Sequence, residues 1–331
     1  MPQRLPRNPY PLDSPSFPAY ERCLKLENSA EHASQRGSVE FSPEMCGRVL
    51  GYMMLEAPTS DGCENVRQEI VKKAKGPIPG SSSHPSRKSF DDAQETIKFL
   101  MQEAPKSNSA LKKLALIRDN YPCVVSGAYD GATFQKMLDI DPEFDPPSLV
   151  QFTQTAHIFP NSLTQDLEWL DGEPGKKVEY AAPVWAVVER FGKVNVLTES
   201  LNSSDIHRVE NVLTLCLSAH ELFDRLQLWF EATDVPNTYN MRSTHAKNLQ
   251  LILPPISRQV TLASTDPEIP VPNSHYLRIH AACAKVAHLS GVAEYLETIL
   301  NEWEEKPVLA SDGGSADMLS FLLARTVVAV H

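Results

Sequence analysis

At 331 residues, with 42% hydrophobic and 22% charged side chains, the chain has the size and composition of a globular protein of one large or two modest domains. Its net charge of −11 argues against nucleic-acid binding by bulk attraction, which usually depends on an excess of Lys and Arg. Neither an apolar signal core nor an apolar run of roughly 20 residues is present, which predicts an intracellular protein, cytoplasmic or nuclear, with no membrane segment.

The cysteines are scattered along the chain, at Cys23, Cys46, Cys63, Cys123, Cys216 and Cys283. Because no two of them form a C-x-x-C pair, their spacing predicts neither a disulfide framework nor a four-thiolate zinc site. We interpret Cys123 and Cys216 as packed thiols rather than metal ligands.

The first third of the chain has the pattern of a helical region preceded by a flexible arm. Residues 1–18 are rich in proline and polar side chains, which predicts the arm, and residues 19–118 form the predicted helical region. Ser42 followed by Pro43 is typical of a helix N-terminus, and apolar residues at helical spacing extend this helix to about Glu56. Further helices are predicted at Glu64–Lys75, Ser89–Glu103 and Leu111–Arg118.

Shorter β-type runs follow in the middle of the chain. Tyr121–Gly127 and Leu149–Pro160 have the branched or alternating apolar residues of strands, and so do Arg225–Glu231 and Leu249–Leu253. Pro183–Phe191 begins with a proline in the first turn of a predicted helix. Beyond a proline-rich hinge, three more helices are predicted at Ser274–Leu289, Val292–Trp303 and Asp317–Val328.

The stretch Asn211–Asp224 carries the residues best suited to chemistry. It is an apolar extended run, a turn with Ser218 as the predicted N-cap, and then a helix. His220 and Asp224 are four residues apart on that helix, so both side chains project from one face and can hold one divalent metal ion. A histidine in a strand, such as His157, can supply the base that activates water for phosphodiester hydrolysis.

Each candidate also has a purely structural interpretation. His157 fits a hydrogen-bonded strand histidine, Asn211 fits ordinary turn chemistry, and Asp224 fits a salt-bridged surface carboxylate. His280 and His288 lie eight residues apart on one predicted helical face among apolar neighbours. We interpret these two as core or capping residues rather than metal ligands.

Four segments together make up one motif. They are Cys-Val-Val-Ser-Gly at 123–127, Ala-His-Ile-Phe-Pro at 156–160, Glu-Asn-Val-Leu-Thr-Leu at 210–215 and His-Glu-Leu-Phe-Asp at 220–224. Together they resemble the HNH endonuclease domain, which has the ββα-metal fold, and in particular the fungal HNH-domain proteins. Leu277–Tyr295 is similar to the helical segment that follows the domain in those proteins. The resemblance covers roughly residues 122–310.

The resemblance implies a role for each matching residue. His157 corresponds to the general base, and Asn211 to the central asparagine that holds the loop opposite the base by hydrogen bonding. His220 and Asp224 correspond to two metal-facing helix positions, which would hold one divalent ion, Mg²⁺, Mn²⁺ or Zn²⁺. Ala156 departs from the pattern, in which Asp or His commonly supplies a further ligand. The two C-x-x-C pairs of many HNH domains are missing, so no structural zinc is expected.

The sequence therefore predicts an α+β protein with a small ββα-metal core and long insertions at residues 119–255. N-terminal helices would flank it, and a C-terminal helical region at residues 270–331 would pack on it. The resemblance implies a metal-dependent endonuclease that hydrolyses nucleic acid, with DNA as the expected substrate. The alternatives are a weak or inactive HNH-fold module used for binding, and a site for small-molecule chemistry. Charge is the main argument against the nuclease, because residues 119–234 hold nineteen acidic and seven basic side chains.

Overall fold

The computed structural model describes residues 2–29, 42–74, 108–159, 169–170, 173–174, 188–193, 208–252 and 258–295. They form a mixed α+β protein, as the sequence predicts. Its helices are α1 (Ser16–Glu27), α2 (Pro43–Leu55), α3 (Ser60–Ala74), α4 (Asn108–Arg118), α5 (Gly131–Ile140), α6 (Leu217–Asp224) and α7 (Ser274–Ser290). Its strands are β1 (Tyr129–Asp130), β2 (Val150–Gln151), β3 (Thr153–His157), β4 (Trp169–Leu170), β5 (Glu173–Pro174), β6 (Val212–Cys216), β7 (Leu228–Ala232), β8 (Thr238–Ser243) and β9 (Gln259–Thr261). Short 3₁₀ turns cover Val209–Asn211 and Ala246–Leu251.

The predicted N-terminus of α2 is confirmed. The Ser42 hydroxyl accepts a hydrogen bond from the backbone N–H of Met45 at 3.2 Å, and Pro43 occupies the first turn. The helix ends at Leu55, one residue before the predicted end. It packs against α1, α3 and α7, so it is the central element of the N-terminal half.

The segment before α1, where composition predicts a flexible arm, makes specific contacts. The backbone N–H of Leu5 donates to the buried Glu27 carboxylate at 3.1 Å, and the Leu5 side chain is itself buried. The Tyr52 hydroxyl donates to the carbonyl of Arg4 at 3.0 Å, and the Gln3 N–H donates to the carbonyl of Leu289 at 2.9 Å. These bonds attach the segment to α1, α2 and α7.

The antiparallel pair β3–β6 has helices on both faces. His157 pairs with Val212, and Ala156 pairs with Leu213. Neighbouring side chains on a strand point to opposite faces, so each of these pairs lies on a different face. Val212 belongs to a small apolar cluster with Leu111 of α4, whereas Ala156 and Leu213 belong to the main core together with α6. The helix α4 therefore covers the His157 face, and α6 covers the Ala156 face.

In the other sheets, neighbouring strands are consecutive in the chain. β1 pairs with β2 in parallel, and β7, β8 and β9 form an antiparallel three-stranded sheet in that order. The buried Asp130 carboxylate joins β1, α5 and β3, because it accepts from the Thr133 N–H at 2.9 Å and from the Thr153 hydroxyl at 2.7 Å. Asp130 therefore caps α5 and also fixes Thr153, the first residue of β3.

Three strand predictions are wrong in detail. Leu249–Leu253 lies largely in the 3₁₀ turn Ala246–Leu251, and Tyr121–Gly127 forms a turn that folds back on itself. The strand predicted from Arg225 begins only at Leu228, because Leu226 has φ of 56° and closes the turn after α6. The predicted helices Ser89–Glu103 and Asp317–Val328, and most of Pro183–Phe191 and Val292–Trp303, lie outside the described residues; residues 188–192 and 292–295 are helical.

The predicted structural roles of His280 and His288 are confirmed. Both lie on α7. His280 donates a ring N–H to the carbonyl of Phe223 in the last turn of α6 at 3.2 Å, and His288 donates to the carbonyl of Leu226 in the turn that follows at 3.1 Å. The His280 ring stacks on the Phe223 ring with centroids 3.9 Å apart. These bonds connect the end of α6 and the turn after it to α7. Among the described helices, none is long and apolar enough to span a membrane.

Burial of His280 makes folding stability depend on pH. Burial lowers the pKa of His280 from 6.5 to about 4, although its bond to Phe223 and the charge of Asp224 oppose that shift. Between these two values the unfolded chain binds a proton that the native protein excludes, so stability falls as pH falls from 6.5 to 4. We expect His280 alone to account for a loss of about 3 kcal/mol of unfolding free energy by pH 4.

Urea unfolding between pH 7 and 4 measures this effect. In a His280→Phe variant, the difference in unfolding free energy between the two pH values should shrink by about that amount. Substitution of the exposed His245 by Gln is the matched control and should preserve the wild-type difference. An identical pH profile for His280→Phe and the wild type would show that this imidazole does not titrate on unfolding.

Candidate functional site

Asn211 joins the end of β3 to the start of β6. Its side-chain oxygen accepts from the backbone N–H of Phe159 at 2.9 Å, and its side-chain nitrogen donates to the carbonyl of Phe159 at 3.0 Å. The Asn211 carbonyl also accepts from the N–H of Ile158 at 2.8 Å. Since Asn211 is 0% exposed, these are bonds without competition from water. They fix the two residues that directly follow His157.

A buried ion pair positions the turn that contains Asn211. Arg118, the last residue of α4, binds the Asp119 carboxylate through two nitrogens at 2.7 and 2.8 Å. A third nitrogen of Arg118 donates to the carbonyl of Val209 at 2.7 Å. Sequence reasoning missed this pair; the one signal was two adjacent opposite charges at the end of an apolar helix stripe.

The helix α6 begins earlier than predicted. It starts at Leu217 with Cys216 in the N-cap position, so Ser218 lies inside the first turn and the predicted Ser218 N-cap is wrong. The extended backbone of β6 continues through Cys216, which leaves the strand and the helix directly joined. This short connection places His220 in the first half of α6, close to β3.

His220 and Asp224 face each other on α6, as their four-residue spacing predicts. Nε2 of His220 lies 3.2 Å from Oδ2 of Asp224. The other ring nitrogen, Nδ1, lies 2.7 Å from Oε1 of Gln154 on β3. Gln154 was not among the predicted site residues, although period-two alternation places it on the same face of β3 as Ala156.

The hydrogen bond between His220 and Gln154 fixes which ring nitrogen of His220 faces Asp224. An amide oxygen only accepts, so Nδ1 of His220 carries the proton of that bond. The lone pair of a neutral His220 is then on Nε2, 3.2 Å from the Asp224 carboxylate oxygen. Two lone pairs repel each other at this distance unless a proton or a cation lies between them. The spacing suits two ligands of one ion at about 2.1 Å each. Fixing Nδ1–H on an oxygen is also the usual way to orient a metal-binding imidazole.

The strand β3 separates the candidate base from this pair. His157 is the last residue of β3 and is half-buried, with its side chain on the face that α4 covers. Ala156 is 0% exposed and lies on the face that α6 covers, so no third side-chain ligand comes from its position. Within the described part of the chain, no group of three or more His, Cys, Asp or Glu residues is arranged to hold a metal ion.

The comparison with protein families identifies this region. Residues 123–231 match the HNH_2 family model, which is described as HNH endonuclease. No curated protein and no solved structure matches the chain. The matched range begins at Cys123 and ends in β7, so it contains β3, β6 and α6 with His157, Asn211, His220 and Asp224, whereas the Arg118–Asp119 pair lies just before it. The match points to nuclease activity in general, and HNH domains generally use a divalent metal and act on nucleic acid. This chain therefore carries an HNH endonuclease-family domain at residues 123–231.

Proposed function

We propose that the protein is a metal-dependent HNH-type endonuclease that hydrolyses phosphodiester bonds of nucleic acid, with DNA as its substrate. In this proposal β3, β6 and α6 form the ββα-metal core of a domain at residues 119–255. The observation that carries it is the pair of hydrogen bonds between Asn211 and Phe159, which holds the backbone next to His157 against β6. The resemblance assigns that task to the central asparagine.

His157 is the proposed general base. A ring nitrogen of His157 takes a proton from the attacking water, and Asn211 keeps the imidazole in place through the two residues that follow it. This arrangement needs no movement of β3, because β6 pairs with it along its full length. In this proposal the phosphate lies at the end of β3, with His157 on one face of the strand and His220 and Asp224 on the other.

His220 and Asp224 are the proposed metal-binding residues. Their facing Nε2 and Oδ2 atoms and the Gln154 bond to Nδ1 fit a divalent cation with two protein ligands. When bound, such an ion neutralises charge on the phosphate and on the leaving oxygen. With Ala156 in place of a third ligand, water and substrate oxygens would complete the coordination, which predicts weak binding.

Arg225 is the proposed phosphate contact. It directly follows α6 and pairs with Glu221 at 3.1 Å, with both side chains more than half exposed. A surface pair of this kind contributes little to stability, so Arg225 can exchange its carboxylate partner for a phosphate. One such contact does not offset the acidic charge of the domain, and because the salt dependence grows with the number of phosphates neutralised, we expect DNA binding to depend only weakly on salt concentration.

The nuclease proposal is tested by His157→Ala in the purified full-length protein with Mg²⁺ or Mn²⁺. Loss of a general base is expected to lower the rate of plasmid or oligonucleotide cleavage by about 10²- to 10⁴-fold. The matched control is His275→Ala, which removes a histidine from α7, remote in sequence from the domain. Equal thermal unfolding of the two variants would show that the effect is chemical. Unchanged cleavage in His157→Ala would contradict the assignment.

A non-catalytic role is the second candidate, and two observations favour it. Ala156 leaves the metal position without a third ligand, and the domain is acidic. Calorimetric titration with Mn²⁺ separates the two candidates: we expect binding by the wild type and at least tenfold weaker binding by the His220→Ala, Asp224→Ala double variant. Lack of Mn²⁺ binding by the wild type, or equal binding by both proteins, would favour a binding module or small-molecule site. A ligand-dependent thermal shift without cleavage would support the latter.

A further inference from the structure

Two cysteine thiols that are remote in sequence lie close together in the HNH domain. Cys123 and Cys216 are 1% and 2% exposed, belong to the same core cluster, and their thiols interact with each other. The backbone next to them is joined as well, because the N–H of Val124 donates to the carbonyl of Thr214 at 2.9 Å. The backbone hydrogen bond between β6 and the turn at 123–127 therefore keeps the two cysteines close together.

The turn that carries Cys123 is closed by several hydrogen bonds. The Cys123 N–H donates to Ala128 at 2.9 Å, and the Gly127 N–H donates to the Cys123 carbonyl at 2.8 Å. The N–H of Ser126 points at the Cys123 sulfur at 3.3 Å. Gly127 has φ of +68°, which a glycine adopts without strain. The sulfur of Cys123 is thus held in one place.

The surroundings of Cys216 favour its thiolate. The interaction with the Cys123 thiol lowers the pKa of Cys216 by more than burial raises it, and the Ala219 N–H at the start of α6 and the hydroxyls of Ser218 and Ser126 lower it further. The same pairing and burial raise the pKa of Cys123. Burial without such donors has the opposite result at Cys283, where it raises the pKa to about 12.

We propose that Cys123 and Cys216 are a redox-modification site that forms a reversible disulfide with a peroxide as the oxidant. The Cys216 thiolate attacks one oxygen of hydrogen peroxide, the O–O bond breaks, and the leaving hydroxide takes a proton to become water. The sulfur of Cys123 then attacks the resulting sulfenic acid at sulfur. The S–O bond breaks, and the departing hydroxide takes the Cys123 proton as a second water. Two electrons pass from the two sulfurs to the peroxide, so atoms and charge balance.

The disulfide would connect the 123–127 turn to the N-cap residue of α6, the helix that carries His220. None of the residues proposed for phosphodiester hydrolysis takes part, so the inference is independent of the nuclease proposal. Cross-linking residues so remote in sequence restricts the unfolded chain, which is expected to raise Tm by about 5–10 °C. A thiol reductant reverses the change.

The test uses the reduced full-length protein titrated with hydrogen peroxide. After removal of peroxide, the protein is unfolded, alkylated and digested without reductant, and the peptides are identified by mass spectrometry. We expect a Cys123–Cys216 cross-linked peptide that disappears after dithiothreitol, together with a reversible rise in Tm. In Cys123→Ser, dimedone should label Cys216 and no intramolecular cross-link should form.

Cys283→Ser is the matched control, because it removes a different buried thiol, which lies on α7. The cross-link and the Tm shift of this variant should equal those of the wild type. If Cys123→Ser does not fold, the wild type and this control still test the site. The proposal is overturned if Cys123 and Cys216 stay reduced while the half-buried Cys63 is oxidised. A cross-link to any other cysteine, or a metal ion bound by the thiol pair in the purified protein, would overturn it as well.

Discussion

Replacement of Asn211 by Ala is expected to lower the unfolding free energy by about 3–5 kcal/mol. The side chain is 0% exposed and satisfies both the N–H and the carbonyl of Phe159. Its removal leaves two backbone groups buried without these partners and a cavity where the amide stood. Each buried group that loses its partner costs about 1–3 kcal/mol, which makes this the largest effect we expect from a neutral substitution in the domain.

Urea unfolding of Asn211→Ala measures this loss, and Asn248→Ala is its matched control. Asn248 is half-buried and donates one side-chain hydrogen bond, to the Thr244 hydroxyl at 3.2 Å, so its replacement should cost about 1 kcal/mol or less. Below its unfolding transition, Asn211→Ala should also cleave DNA more slowly, because the backbone beside His157 is released. A stability loss as small as that of Asn248→Ala would mean that the two hydrogen bonds between Asn211 and Phe159 contribute little to stability.

The parts of the fold that depend on neighbouring residues were predictable from the sequence. The Ser42–Pro43 start of α2 is local chemistry, and so is the shared face of His220 and Asp224. The HNH domain itself was recognised because the motif segments carry a family resemblance, which the family match at residues 123–231 confirms.

Contacts between distant segments were not predictable in the same way. Nothing in the composition near Gln154 indicates that its amide binds His220, since these residues are 66 positions apart and meet only when β3 packs under α6. The strand predicted at Tyr121–Gly127 is a turn because its backbone bonds close on Cys123, which overrides the β propensity of its branched residues. The Ser218 N-cap prediction was wrong for a related reason: β6 runs without a break into α6.

Loss of the Arg118 cation is expected to destabilise the protein as strongly as loss of Asn211. In Arg118→Met, the Asp119 carboxylate, 3% exposed, keeps its charge without its bidentate partner, and the Val209 carbonyl loses a donor. Breaking a buried ion pair from one side typically costs about 3–5 kcal/mol. Since Val209 begins the turn that ends at Asn211, the DNA cleavage rate should fall together with stability.

A double-mutant cycle distinguishes the ion pair from the packing of the arginine side chain. Two charges buried together can often be replaced by apolar residues of similar size with little loss, because neither remains unpaired. We therefore expect Arg118→Met with Asp119→Leu to recover most of the stability that Arg118→Met loses. The urea midpoint measures this recovery, provided that the slope of unfolding free energy against urea concentration is unchanged. The double variant still lacks the donor to Val209, so its cleavage should remain below wild type. Additive losses would instead mean that Arg118 acts mainly through its contact with Val209, and that this single bond holds the turn of Asn211 in place.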